Sequence, residues 1–288
     1  MASSNMKDIK RRIKSVESIM QITKAMELVA SSKLRKAKEK ADKARPFFDA
    51  LYDTMCEIYS ETRDFSSAFT KIKQIKTVLL VVIAGDRGFA GSFNNNVLKL
   101  ALSRAKELSE QGVRVKILAI GKKADEYFEK RGFEIIESLS GISETIKIYG
   151  VKAISDRIVK RFLAGEFEQV ELFYTTFLNA LSQEARGITV LPVNLIKKDG
   201  GSKVLTEYDP SPEAVFDSII PKYISGLLFG AIADSFAAEQ AARRTAMESA
   251  SDNASEMIDS LSLAYNRARQ SSITQEITEI IGGAQAQA

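Results

Sequence analysis

The residues most suggestive of chemistry follow the apolar run Thr77–Ala84: Gly85-Asp86-Arg87-Gly88-Phe89-Ala90-Gly91-Ser92-Phe93-Asn94. A glycine-rich turn between strand and helix is where α/β proteins hold phosphate, because backbone N–H groups converge at the helix N-terminus. Here the glycines fall three apart, at 85, 88 and 91, so the G-x-G-x-x-G spacing of dinucleotide sites is not met. No Gly-Lys-Ser/Thr follows, so there is no P-loop either. The segment reads as a turn that needs glycine, as a docking surface, or as a nucleotide site, in that order. The chain contains no histidine, which removes Ser-His and Cys-His catalytic pairs and histidine-bound metals. Its single cysteine, Cys56, excludes an internal disulfide and suits a reducing compartment. Lying between Met55 and Ile58 on an apolar stripe, it reads as a buried thiol. No catalytic residue, metal ligand or cofactor site is expected.

The glycine turn belongs to a central region, 75–205, where strand-like and helix-like patterns alternate. Nearly continuous apolar runs at Thr77–Ala84, Val115–Ile120, Val170–Thr176 and Ile188–Ile196, with a weaker one at Phe133–Ile136, predict strands buried on both faces. Pro192 predicts that the last is irregular or peripheral. Helices are predicted at about Asn94–Glu110, Lys122–Lys130 and Glu144–Ala164, and Asp199-Gly200-Gly201-Ser202 predicts a turn leading out. This alternation implies an α/β fold, a doubly wound and mostly parallel sheet.

The flanking regions, 1–62 and 210–288, have a different period. In the first, Ile9, Ile13, Val16 and Met20 recur at 4-3-4 spacing, the stripe slips at Ile19, Ile22, Met26 and Val29, and it settles from Ala30 through Leu34 and Ala37 to Ile58. Asn5 is the expected N-cap, and Pro46 is expected to kink or break the helix. In the second, Ser211-Pro212-Glu213 supplies a cap, a first-turn proline and an acid. Its stripe runs through Ile224, Leu228, Ala231, Ser235, Ala238 and Ala242, then Ala250, Ala254, Met257, Leu261, Ala264 and Ala268, with Gly282-Gly283 as the expected stop. Alternating spacings of 4 and 3 mark a coiled-coil seam, so the two terminal helices are expected to pair antiparallel. At 1.5 Å per residue each would span roughly 85 Å and could not fit within a compact globule of this length, so both are expected to project.

Charge supports the pairing. Lys7–Arg45 carries 13 Lys and Arg against 5 Asp and Glu, and Pro210–Ala288 carries 5 against 10, within a net charge of +4. A basic arm could instead bind nucleic acid, but it has almost no aromatic residues before Phe47 and is patterned for packing. No uninterrupted apolar run approaches the ~18 residues of a membrane span, and the polar start does not resemble a secretory signal. The crowding of polar residues at Ala268–Ile277, followed by Ile277, Ile280 and Ile281, predicts an apolar tip that needs a socket.

Ile22-Thr23-Lys24-Ala25-Met26-Glu27-Leu28-Val29-Ala30-Ser31-Ser32-Lys33-Leu34-Arg35 resembles the amino-terminal signature of the gamma subunit of F-type ATP synthases, of the bacterial type. Ile273-Thr274-Gln275-Glu276-Ile277-Thr278-Glu279-Ile280-Ile281-Gly282-Gly283-Ala284 is similar to that family's carboxyl-terminal signature. The Gly85–Asn94 segment also matches, with Ala90 where the family usually has cysteine, and the chloroplast-type insertion with its cysteine pair is missing. The resemblance implies a non-catalytic rotor shaft, one copy per complex, coupling ion flow to ATP synthesis or hydrolysis at beta-subunit sites. It implies alpha and beta subunits around the helix pair, the epsilon subunit and membrane c-ring below, and a peripheral position on the cytoplasmic face of the cell membrane. Partner contacts carried over from the family fall on Met26, Arg87, Ala90, Arg269, Gln270, Thr274, Glu276 and Ile280. Two other classes stay open: an α/β nucleotide-binding enzyme with a coiled-coil dimerisation arm, and a coiled-coil nucleic-acid-binding protein.

Overall fold

The computed structural model describes residues 2–62, 65–71, 73–141, 148–195 and 207–285. Five strands, β1 Thr77–Ile83, β2 Arg114–Ile120, β3 Glu134–Leu139, β4 Gln169–Phe177 and β5 Gln183–Leu191, form one sheet in the order β3-β2-β1-β4-β5. The first four are parallel, and β5 returns antiparallel to β4. The helices are α1 Ala2–Glu61, α2 Phe93–Glu110, α3 Lys122–Glu129, α4 Ile148–Leu163 and α5 Pro212–Gln285. The chain forms two compact units, one of residues 31–242 and one of residues 1–30 with 243–288.

The larger unit is built around β1, whose seven residues are all buried. Side chains alternate across a strand, so one apolar run feeds two cores. Val78, Leu80 and Val82 pack against Val97, Ala101 and Ala105 of α2 and Phe128 of α3. Leu79, Val81 and Ile83 share the other core with Ile154, Ile158 and Phe162 of α4. The chain winds outward from β1 to β3, then crosses back to β4 on the far side of β1. With right-handed crossovers this reversal places α4 on the face opposite α2 and α3. Met55 and Ile58 of α1 and Phe216, Ile220, Ile224 and Leu228 of α5 complete the second core. Each large apolar side chain buried there contributes ~1.5–3 kcal/mol relative to exposure. On the first face, Arg104 of α2 holds the buried Glu171 of β4 through two guanidinium nitrogens, Nε at 3.1 Å and Nη2 at 2.8 Å.

β5 lies at the sheet edge, as Pro192 predicted, but it stops at Leu191, short of the predicted extension to Ile196, because proline has no N–H to continue the ladder. It starts at Gln183, five residues earlier than the apolar run at Ile188. The half Gln183–Gly187 is too polar to read as a strand because an edge strand is wet on one face. Residues 144–147, the turn at 199–202 and Ile196 lie outside the described residues.

Within this unit α1 and α5 run antiparallel. Tyr52 stacks on Tyr223 with centroids 5.8 Å apart, while Phe48 sits against Gly226, further along α5. The approach is so close that a Cβ on Gly226 would lie 1.7 Å from Phe48 Cδ1, so only glycine fits. α1 continues through Pro46 without interruption. At the start of α5, Ser211 Oγ accepts from Ala214 N–H at 3.2 Å, the capping expected of Ser211-Pro212-Glu213. Cys56 is a buried free thiol. An 18-residue stretch of α5 has mean hydropathy 1.4, enough by length and composition to cross a membrane, which the count of unbroken apolar runs did not reveal. More than half of it, 56%, is buried inside the protein, as befits a core helix.

In the smaller unit the seam keeps one phase, and the expected slip is absent. Met6, Ile9, Ile13, Val16, Met20, Thr23, Glu27 and Ala30 are the buried or half-buried row of α1, with Met26 beside it. On α5 the row is Met247, Ser251, Ala254, Ile258, Leu261, Tyr265, Ala268 and Ser272, again alternating 4 and 3. Polar Thr23, Glu27 and Ser251 hold the phase, so Ile22, 59% exposed, together with Ile19, Val29, Met257 and Ala264, faces outward instead. Thr23 Oγ1 lies 2.7 Å from Ser251 Oγ and donates to the Met20 carbonyl at 3.0 Å, which leaves Ser251 to donate to Thr23. Two terminus expectations fail: α1 begins at Ala2, ahead of Asn5, and α5 runs through Gly282-Gly283 to Gln285. Glycine disfavours a helix interior without forbidding it.

The 2.7 Å hydroxyl contact gives a direct test of the pairing. Thr23→Cys with Ser251→Cys, in a Cys56→Ala background, should oxidise to an intramolecular disulfide that runs as a faster monomer on a non-reducing gel. Crosslinked dimers in its place would mean that these helices pair between chains.

Candidate functional site

In open α/β sheets the ligand crevice lies beyond the carboxyl ends of the strands, where the order of winding reverses. Here that point falls between β1 and β4, directly below the glycine turn. It is filled by α5. A Cβ on Gly85 would lie 2.9 Å from Glu239 Oε1, and Ser235 Oγ accepts the Thr175 N–H at 3.0 Å. Ala238 packs with Ala90 and Phe93 in a small buried cluster against Phe177. Asn94, in the first turn of α2, ties the loop down by accepting from Gly85 N–H at 2.8 Å and donating to the Arg87 carbonyl at 3.2 Å. Asp86 accepts from the backbone N–H of Lys122 and of Gly141, each at 2.9 Å. Gly85 N–H and the Asp86 carboxylate are therefore engaged within the protein, and α5 occupies the crevice beneath them. Among the described residues no group of three or more acidic or cysteine side chains could hold a metal.

The outward side chains of this anchored loop are Arg87, Phe89 and Ser92. Ala90 is 2% exposed and turned into the Phe93–Ala238 cluster, so its side chain supports the loop from beneath and presents nothing to a partner. Phe89 is 75% exposed with φ of 58°, a left-handed conformation that costs an ordinary residue ~1–2 kcal/mol. A large ring held out in a strained backbone is a functional signal that sequence reading missed, because φ has no trace in residue type. Nearby in the larger unit, Lys38 Nζ sits 5.1 Å over the Phe177 ring, so part of the basic stretch Lys33–Lys40 is engaged with the protein surface.

The other candidate residues lie in the smaller unit. Met26 is half-buried beside the α1 seam, and Arg269, Gln270, Thr274, Glu276 and Ile280 are exposed on α5. Counting outward in opposite directions from the Thr23–Ser251 contact, Ser272 comes level with Ala2, the first residue of α1. Ser272 is also the last buried residue of α5. Beyond Ser272 every residue from Ile273 to Ala284 is exposed, and the helix runs on to Gln285, roughly 20 Å at the standard rise. It exposes Ile273, Ile277, Ile280 at 71% and Ile281. Arg269 and Gln270 stand just before this exposed end.

A family model described as ATP synthase matches residues 5–287. The chain is 58% identical to the ATP synthase gamma chain of Ruminococcus albus, over 96% of both chains, and 42% identical to that of Alkaliphilus metalliredigens, over 98% of both. It is 38% identical, over 99% of each, to a sodium-ion-specific ATP synthase gamma chain of Acetobacterium woodii. Among solved structures it superposes on a chain of the Euglena gracilis mitochondrial ATP synthase with a TM-score of 0.70 at 17% identity, covering 99% of this chain and 95% of that one. A chain from the rotor of the same enzyme gives 0.66, also at 17% identity, over 94% and 99%. At such identity these superpositions speak to fold alone.

The filled crevice carries its own expectation. Neither ATP nor NAD at millimolar concentration should raise the melting temperature of the purified chain, because bound ligand stabilises only a state that has room for it. A concentration-dependent rise would reopen the nucleotide-enzyme reading.

Proposed function

The chain belongs to the family of ATP synthase gamma chains, and we propose that it turns as the central shaft of such an enzyme, coupling ion flow through the membrane sector to ATP synthesis or hydrolysis at beta-subunit sites. The observation that carries this reading is the exposed end of α5, a helix that shows four isoleucines to solvent beyond Ser272. An apolar helix end of this kind needs a sleeve, and a ring of alternating alpha and beta subunits supplies one. The shaft itself is non-catalytic. The α/β body meets the epsilon subunit and the c-ring, one copy serves each complex, and the chain is held peripherally at the cytoplasmic face of the membrane.

A single shaft in a threefold ring is asymmetric, so each orientation offers different contacts to each beta subunit. Met26, Arg269, Gln270, Thr274, Glu276 and Ile280 serve the sleeve, and Arg87 with Phe89 meets the lower rim of a beta subunit. The planar fork of Arg269 suits a carboxylate or a backbone carbonyl. Such a hydrogen bond contributes ~1.5–3 kcal/mol, enough to favour one rotational position over its neighbours about tenfold or more.

Arg269→Ala should leave the melting temperature of the free chain nearly unchanged, since the side chain is exposed there, while lowering ATP hydrolysis and synthesis by the assembled complex. Unchanged rates with assembly intact would reject the contact.

Phe89→Asn tests the loop. Asparagine tolerates the left-handed conformation, so the free chain should keep its stability within about 0.5 kcal/mol. Coupled turnover of the complex should fall. A clear loss of stability in the free chain would instead assign Phe89 a structural role.

A further inference from the structure

A cavity unrelated to the glycine turn opens in the larger unit between the α1–α5 pair and the β4–β5 edge of the sheet. It measures about 420 Å³, within the range of roughly 300–1,000 Å³ that holds small organic ligands. Much of its wall is aromatic or apolar. Tyr52 and Tyr223 enter as a stacked pair, with centroids 5.8 Å apart and ring planes 30° apart, and Tyr174 of β4 and Leu227 of α5 join them. Thr189 and Asn194 line it as well, and both are exposed, so a hydroxyl and an amide stand where the cavity meets solvent.

The aromatic wall disfavours charge. Burial, with smaller contributions from Tyr52 and Cys56, pushes the Tyr223 phenol up to about 12. The same desolvation opposes any ion seated against that ring. Nor do the lining carboxylates call for a counter-ion, since Asp234 already has a partner within the protein and Asp49 is exposed. The helix backbone keeps the space open. A Cβ added to Gly230 would meet no atom within 4 Å, so glycine is not demanded there by packing. Glycine in a helix interior is less stable than alanine, yet this bare stretch of backbone forms part of the wall.

We propose that this cavity binds a flat, uncharged aromatic molecule of two or three fused rings, laid against the Tyr52–Tyr223 stack with one amide-like group toward Thr189 and Asn194. Apolar burial and offset stacking both reward that shape. An amide pairs with a hydroxyl and with another amide without carrying charge into the site.

Isothermal titration of the full-length chain with naphthamide tests this, with naphthoate and naphthylmethylammonium as anionic and cationic partners of similar shape. The amide should bind saturably at one site, and each ion about tenfold more weakly or worse. Gly230→Leu, which fills the cavity from the helix side, should abolish binding without lowering the melting temperature. If that variant does not fold, Gly230→Ala, whose methyl group has open space, takes its place and should weaken binding. Asp49→Asn should leave the affinity for the amide unchanged. Either ion binding as tightly as the amide, or binding indifferent to the Gly230 substitution, overturns the proposal. So does binding to the free chain that disappears in the assembled complex, which would give the cavity to a subunit contact.

Discussion

The carboxyl-terminal helix laid across the ends of β1 and β4 is the contact on which the larger unit depends. A parallel sheet with this strand order leaves a crevice at its switch point, lined by the ends of two strands and the start of a helix. α5 closes it with small side chains, Ser235 and Ala238, and one acid, Glu239. Ser235 satisfies the β4 backbone at Thr175, so the helix replaces the hydrogen bonds that a ligand or water would make. Because Ala90 and Phe93 are drawn into the same cluster, the glycine turn is clamped from below and its Arg87–Phe89 crest is held outward. A fold that elsewhere binds small molecules at this point here uses it to hold a helix and aim a loop.

The smaller unit rests on a seam of modest side chains. Alanine, serine and threonine let two helices approach closely but bury little apolar area. Register therefore falls to specific polar contacts as much as to hydrophobic fit. A slide of the helices would separate Thr23 from Ser251 and leave the buried Ser251 hydroxyl without this partner, at a cost of up to ~1–3 kcal/mol. The larger apolar residues, Ile19, Ile22, Leu28 and Val29, are left on the outside, an arrangement that an isolated helix pair does not favour. Under the proposed function this exposure is what a surrounding ring of subunits would cover.

Much of this was legible in the residues. Strands buried on both faces announce themselves as unbroken apolar runs, and four of the five fell close to their observed bounds. The pairing of α1 with α5 was legible in the 4-3 spacing, and Ser211-Pro212-Glu213 marked the start of α5 because capping is local chemistry. The phase of the seam was not legible, since an apolarity count passes over Thr23, Glu27 and Ser251 and lands on Ile22 and Met257. The first half of β5 was hidden by its wet face, and Gly282-Gly283 was read as a stop that the helix does not respect.

The sequence by itself determined the α/β core, the two long helices and the absence of histidine chemistry, because these depend on periodicity and residue type. Tertiary structure alone decided that the crevice at the glycine turn is filled, since nothing near Gly85 in the chain foretells that Glu239, more than 150 residues away, will occupy it. It also decided which loop residues face outward: Ala90 went in, and Phe89 came out in a left-handed backbone. The cavity beside Tyr223 and Gly230 likewise exists only once two helices and a sheet edge are brought together. Residue type governs what a side chain can do, but the space around it is set by segments far off in the chain.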